Sequence, residues 1–161
     1  MTSSVLVALR VKARPDQAFD VFIREIGAWW KPNVLFQTTP RKPGRLAFEA
    51  GEGGRLIETL DNGKIYEIGR ITLWDPPRRL VFNWRQASFP PDLHTEVEVN
   101  FEPVGDETRV SVDHRGFHQV PAPNVARHGM PDPVLLRYLA QYWRGHLDAY
   151  GTQLTRVVRR N

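Results

Sequence analysis

The sequence contains no cysteine. Disulfides, thiol nucleophiles and cysteine-based metal sites are therefore excluded, and the redox compartment stays open. The chain also lacks an apolar run near the roughly 20 residues that a membrane-spanning helix needs. Its first residues become charged too soon for a signal peptide. These features predict a protein without a membrane span, for which the cytoplasm is the default location.

Motifs that carry a defined chemistry are missing too. There is no phosphate-binding loop, dinucleotide fingerprint or nucleophile elbow, and no activated acid–base pair is visible. Among the five histidines, His114 and His118 fall on a strand and beyond its end, not on one helix face as a zinc pair would. Asp113 and Glu67 are interpreted as surface charges. We therefore predict no metal, no cofactor and no catalytic residue, which favours a non-enzymatic function while leaving an enzyme open.

The composition is that of a single globular domain. The 161 residues are 41% hydrophobic and 25% charged, so one core over residues 1–161 is expected. The net charge of +4 comes from 22 basic and 18 acidic residues, and the basic ones are scattered. A nucleic-acid-binding protein would place them on one face, so no nucleic-acid partner is predicted. A monomer and a homodimer are both compatible with these data.

The most regular stretch of the sequence is near its end. Leu135, Leu139, Tyr142 and His146 recur at helical spacing, which predicts one long helix over residues 133–157 with a wide apolar face. Asp132 is predicted to be its N-cap. No other long helix precedes it, so a sheet is the expected partner.

The preceding chain reads mainly as strands. A helix over 15–26, ended by Gly27 and followed by one more turn, separates the first strand from the others. Asn62-Gly63 predicts a hairpin turn, and Pro76-Pro77 a corner. Strands are predicted over residues 4–12, 45–49, 54–60, 64–74, 79–86, 94–102 and 108–117. An antiparallel sheet with one long helix predicts an α+β fold in which a curved sheet grips the helix.

Two stretches resemble a known family. They are GRITLWDPPRRLVFNW at 69–84 and ETRVSVDHRGF at 107–117, and Trp29-Trp30 and Tyr142-Trp143 also fit. The chain resembles the activator of heat-shock-protein-90 ATPase-like group of the START-like (SRPBCC) superfamily. The resemblance implies the helix-grip fold, with a cavity between sheet and long helix. It carries no catalytic motif.

A cavity with apolar walls and a few polar groups is typical of a small-molecule site. We therefore predict a small hydrophobic ligand as partner. A polyketide cyclase- or aromatase-like enzyme and a co-chaperone-like interaction module are the alternatives, and a packed core of ordinary aromatics would suit the same residues. Segments 29–36 and 118–131 are predicted to form a lid. The candidate ligand-binding residues are Trp84, Thr95, His114, Tyr142, His146, Trp29 and Phe117.

Overall fold

A computed structural model describes residues 4–40 and 42–160. Its helices are α1 (Pro15–Arg24), α2 (Ile26–Trp29) and α3 (Asp132–Arg160). Its strands are β1 (Ser4–Val11), β2 (Arg45–Phe48), β3 (Arg55–Thr59), β4 (Ile65–Asp75), β5 (Arg79–Trp84), β6 (Thr95–Val104) and β7 (Glu107–Arg115). The predicted strands are all present, with ends shifted by up to two residues.

The strands form one antiparallel sheet in the order β1-β7-β6-β5-β4-β3-β2. From β2 to β7 each strand pairs with the next one in the chain, and β1 pairs with β7 at one edge of the sheet. The sheet curls into a half-barrel, and α3 lies in its concave side. The predicted α+β helix-grip architecture is thereby confirmed.

Helix α3 is continuous, as predicted, and packs against β1, α1 and α2. Its buried side chains are Leu135, Leu139, Tyr142, Trp143, His146, Leu147, Tyr150 and Leu154. The role of Asp132 differs from a simple N-cap. It is the first residue of α3, and its carboxylate accepts a hydrogen bond from the guanidinium of Arg127.

The first helix is interrupted two residues before its predicted end. Helix α1 ends at Arg24, and the short α2 then runs through Gly27. Gly27 therefore does not terminate the helix as predicted. A Cβ at this position would lie 3.1 Å from the carbonyl oxygen of Leu46, so the glycine allows α2 to approach β2 closely.

The segment predicted as a lid near the C-terminal helix is more regular than the sequence suggested. It contains two short 3₁₀ turns, Phe117–Gln119 and Val125–Arg127. The guanidinium of Arg127 donates to the carbonyl oxygens of Phe117, Val120 and Met130. This buried side chain thus joins the start of the connection to its end.

Candidate functional site

All seven predicted ligand-binding residues are buried, but they fall into two groups. One group lies along the ends of the central strands and comprises Trp84, Thr95, His114 and Phe117. The other lies where α2 meets α3 and comprises Trp29, Tyr142 and His146. The structure therefore does not bring the seven side chains to one common surface.

His114 stands at the centre of a fixed hydrogen-bond relay. Trp143 donates its indole N–H to Nδ1 of His114 at 3.0 Å, so the proton of the neutral ring resides on Nε2. Nε2 lies 2.7 Å from Oγ1 of Thr95, whose hydroxyl donates to the carbonyl oxygen of Trp84 at 2.9 Å. Burial lowers the pKa of His114 to about 3. Both ring nitrogens have protein partners, as expected of a core histidine.

His146 is less completely bonded. Its ring stacks on Trp30 at a centroid distance of 3.9 Å, and its Nδ1 accepts a hydrogen bond from the backbone N–H of Lys31 at 3.4 Å. Nε2 is buried and has no hydrogen-bond partner within residues 4–40 and 42–160. Burial lowers the pKa of His146 to about 3, and the charge of Lys31 adds to this shift. The neutral ring thus contacts the connection between α2 and β2, called segment 30–44 below, of which the structure describes residues 30–40 and 42–44. It joins this segment to the middle of α3.

A partly open cavity of about 40 Å³ lies under segment 30–44, between β3 and α3. Apolar and aromatic walls come from Trp30, Phe36 and Leu46, and polar groups come from Thr38, Thr39, Glu58 and Tyr142. Tyr142 is therefore the predicted site residue that contributes to this cavity. Burial raises the pKa of Tyr142 well above its ordinary value, and the negative charge of Glu58 raises it further.

Glu58 fastens segment 30–44 to the sheet. Its side chain is buried, with 2% exposure. One carboxylate oxygen accepts the hydroxyl of Thr38 at 2.5 Å, and the other accepts the backbone N–H of Gly44 at 2.7 Å. Hydrogen bonds to a charged acceptor are stronger than neutral ones, so this carboxylate is a strong attachment point for the segment.

Two open grooves lie on the outer sides of the same segment. One, of about 400 Å³, is bordered by Val34, Leu35, Gln86 and Val125 and shares Gln37, Thr38 and Thr39 with the cavity. The other, of about 500 Å³, is lined by His146 and shares Pro32, Asn33 and Tyr142 with the cavity. Residues of segment 30–44 thus line the cavity and both grooves.

Sequence reasoning missed Glu58. In the predicted strand 54–60, Leu56 and Glu58 share one face, and Leu56 is fully buried. A carboxylate on the apolar face of a strand was the available signal, because burying a charge without partners is costly. Asp113 also differs from its interpretation as a surface charge. It is half-buried beside Arg115, and burial raises the pKa of its carboxyl group.

Neither a metal centre nor a membrane span emerges from the described residues. Within 4–40 and 42–160, no three His, Asp or Glu side chains are grouped so that they could hold a metal ion. Across the same residues, no helix has both the length and the apolar character needed to cross a membrane.

A curled antiparallel sheet around one long helix, with a cavity at their junction, defines a helix-grip domain of the START-like type. The chain belongs to the family described as Activator of Hsp90 ATPase homolog 1-like protein, whose model matches residues 12–147. The predicted family resemblance is confirmed. A comparison with curated proteins found no match.

Solved structures of similar fold span several organisms. Protein MLL2253 from Mesorhizobium loti has a TM-score of 0.67 and 17% identity, covering 95% of this chain and 97% of its own. CalU16 from Micromonospora echinospora has a TM-score of 0.64 and 19% identity, covering 95% and 74%. PFC0360w, described as an HSP90 activator from Plasmodium falciparum, has a TM-score of 0.51 and 19% identity, covering 76% and 77%. At these identities the likeness establishes the fold.

Proposed function

We propose that this protein binds a small hydrophobic ligand in the cavity under segment 30–44. The observation that carries the proposal is the mixed lining of that cavity, where aromatic walls from Trp30 and Phe36 meet the buried polar groups of Glu58 and Tyr142. Apolar surface with a few fixed polar groups is the usual composition of a small-molecule site. The ligand's polar end is placed at Glu58 and not at His114, because His114 already has a protein partner on each nitrogen.

Segment 30–44, the wall of the cavity, must move outward before a ligand of ordinary size can fit. A cavity of about 40 Å³ holds a few water molecules, whereas ligand pockets are usually about 300–1,000 Å³. Residues 30–40 and 42–44, which the structure describes between Trp29 and Arg45, belong to no helix or strand. The segment is held by individual hydrogen bonds and not by sheet pairing. They include the Glu58 bonds, the contact of 2.5 Å between His128 Nε2 and the carbonyl oxygen of Leu35, and hydrogen bonds that Gln86 and the backbone N–H of Ala87 donate to the carbonyl oxygens of Gln37 and Thr38. Outward movement would merge the cavity with either groove.

The decisive experiment is an NMR titration with 1-alkanols of increasing length. Each buried CH₂ should contribute about 0.8 kcal/mol, and chemical-shift changes should centre on Trp30, Leu46 and Tyr142. The variant Leu46→Phe fills the cavity and should abolish binding. The matched control Leu6→Phe adds the same atoms on the exposed edge of β1, where the leucine is 63% exposed, and should leave binding intact. Binding that survives Leu46→Phe would place the ligand elsewhere.

A protein-interaction role is the second candidate. It is favoured by the family match and by the likeness to PFC0360w, described as an HSP90 activator. Native mass spectrometry of protein purified from its source separates the two functions. A retained small apolar molecule supports ligand binding, and an empty cavity with a co-purifying chaperone supports the second candidate. A ligand recovered in chemically altered form would favour the cyclase-like alternative.

A further inference from the structure

Glu58 is a carboxylate buried in the cavity wall, and no basic side chain among residues 4–40 and 42–160 pairs with it. The ion pairs formed within residues 4–40 and 42–160 all join other side chains. A buried charge is costly unless hydrogen bonds and an opposite charge compensate for it. Thr38 and Gly44 donate one hydrogen bond each, while an ionised carboxylate accepts about four. Acceptor capacity and negative charge therefore remain for a further group.

Aromatic rings surround the same space. Trp30 stands edge-to-face with Tyr142 at a centroid distance of 5.8 Å, and Phe36 lies 5.0 Å from Tyr142. The faces of aromatic rings attract cations through their quadrupole. Thr39 adds an independent indication, because its Oγ1 is buried at the cavity and lacks a hydrogen-bond partner in the part of the chain that the structure describes. Aromatic rings, a carboxylate and an unused hydroxyl together suit a cation that donates hydrogen bonds.

We propose that the cavity receives the ammonium group of a small organic amine, with Glu58 as its counter-ion. This inference rests on the proposed function and specifies the polar end of the ligand. The three N–H donors of a primary ammonium match the oxygens of Glu58 and Thr39, and its carbons face Trp30 and Phe36. The cavity of about 40 Å³ accepts the ammonium group and about two carbons, so a longer body extends beneath segment 30–44.

Arg45 provides an internal test of this electrostatic argument. It is exposed and borders the cavity, and its Nε lies 3.1 Å from the position that a Cβ on Gly27 would occupy. Its positive charge opposes a cation at the cavity. Removing this charge should therefore strengthen ammonium binding, opposite in sign to the loss of Glu58.

The competing explanation is that Glu58 only fastens the segment. Both explanations predict weaker binding after Glu58→Gln, so affinity alone does not separate them. Thr38→Val removes a hydrogen bond from the same attachment and keeps the carboxylate. The informative quantity is the ratio of affinities for an n-alkylammonium ion and the 1-alkanol of equal length, because loosening the segment affects both ligands alike.

The experiment is an NMR titration of the full chain at pH 7 with alkylammonium ions and alkanols of two to six carbons. In the unmodified protein the ammonium ion should bind about tenfold tighter, the scale of one hydrogen bond to a charged group. Glu58→Gln should reduce the ratio to about one, Thr38→Val should preserve it, and Arg45→Gln should raise it about two- to threefold, as expected for a screened surface charge.

The outcomes separate the two proposals. Equal affinities for ammonium ions and alkanols in the unmodified protein overturn the amine inference and leave the proposed function standing. Binding of neither series overturns both. A ratio that falls as much in Thr38→Val as in Glu58→Gln assigns Glu58 to fastening alone and also overturns the inference. If Glu58→Gln does not fold, the affinity ratios of the unmodified protein and of Arg45→Gln still test the amine inference.

Discussion

The indole N–H of Trp143 donates a hydrogen bond to Nδ1 of His114 across 3.0 Å, joining α3 to β7 in the core. Replacing His114 with Phe leaves this buried donor without an acceptor and removes the donor to Thr95. We expect the free energy of unfolding to fall by about 1–3 kcal/mol, measured by chemical denaturation. His118→Phe, at an exposed position, is the control and should have little effect.

The same variant tests the original site prediction for His114. If the residue is part of the core alone, alkanol affinity should be unchanged once the protein is folded. A clear loss of affinity with unchanged stability would instead return the ligand to Trp84 and His114.

Stability should depend on pH through the two buried histidines. The pKa values of His114 and His146 are lowered from 6.5 to about 3 in the folded state. Below pH 6.5 the unfolded chain therefore binds protons that the folded protein does not, and stability decreases as the pH falls towards 3. Between pH 7 and 5.5 the loss should be about 1 kcal/mol per histidine. Denaturation midpoints measured across this interval check the prediction, and His114→Phe should reduce the slope by about half.

Arg127→Lys should loosen the connection before α3. A lysine cannot replace the planar fork that bonds the carbonyls of Phe117, Val120 and Met130. We expect faster amide hydrogen exchange in 118–131, with little change in β5. Arg137→Lys, at an exposed position of α3, is the control.

In the unmodified protein, the amides of residues 118–131 should already exchange faster than those of residues 80–84. Equal protection of the two segments would contradict the predicted mobility of 118–131.

Two glycines should respond to alanine in opposite directions. A Cβ at Gly69 would lie 1.7 Å from the carbonyl oxygen of Asn83, so Gly69→Ala should separate β4 from β5 and lower the melting temperature. A Cβ at Gly145, within α3, meets nothing within 4 Å. Gly145→Ala should raise the free energy of unfolding by about 0.5–1 kcal/mol, because alanine loses less backbone entropy in a helix. Thermal melts of the two variants provide the comparison.

The fold could be predicted because its elements carry local signals. The stripe on α3, the alternation in β6 and the turn at Asn62-Gly63 each depend on neighbouring residues. The close approach of Gly27 in α2 to Leu46 in β2 could not be predicted. Such long-range contacts leave no periodic pattern in the sequence.

The site was predicted less well for the same reason. The seven candidate residues are all buried, but burial alone does not distinguish a ligand wall from a packed core. The cavity depends on Glu58, Thr38 and Gly44, which meet only because segment 30–44 folds back over β3. A buried charge in a strand indicated one of these residues, and nothing in the sequence paired it with the others.

Segment 30–44 separates the cavity from the two outer grooves. Outward displacement of this segment would therefore enlarge the cavity and reduce the volume of a groove. A molecule bound in the groove beside Val34 and Val125 would oppose the outward movement of the segment that a ligand in the cavity beneath Trp30 requires. The two occupants would then compete without touching, and each would weaken the other's affinity by the same factor.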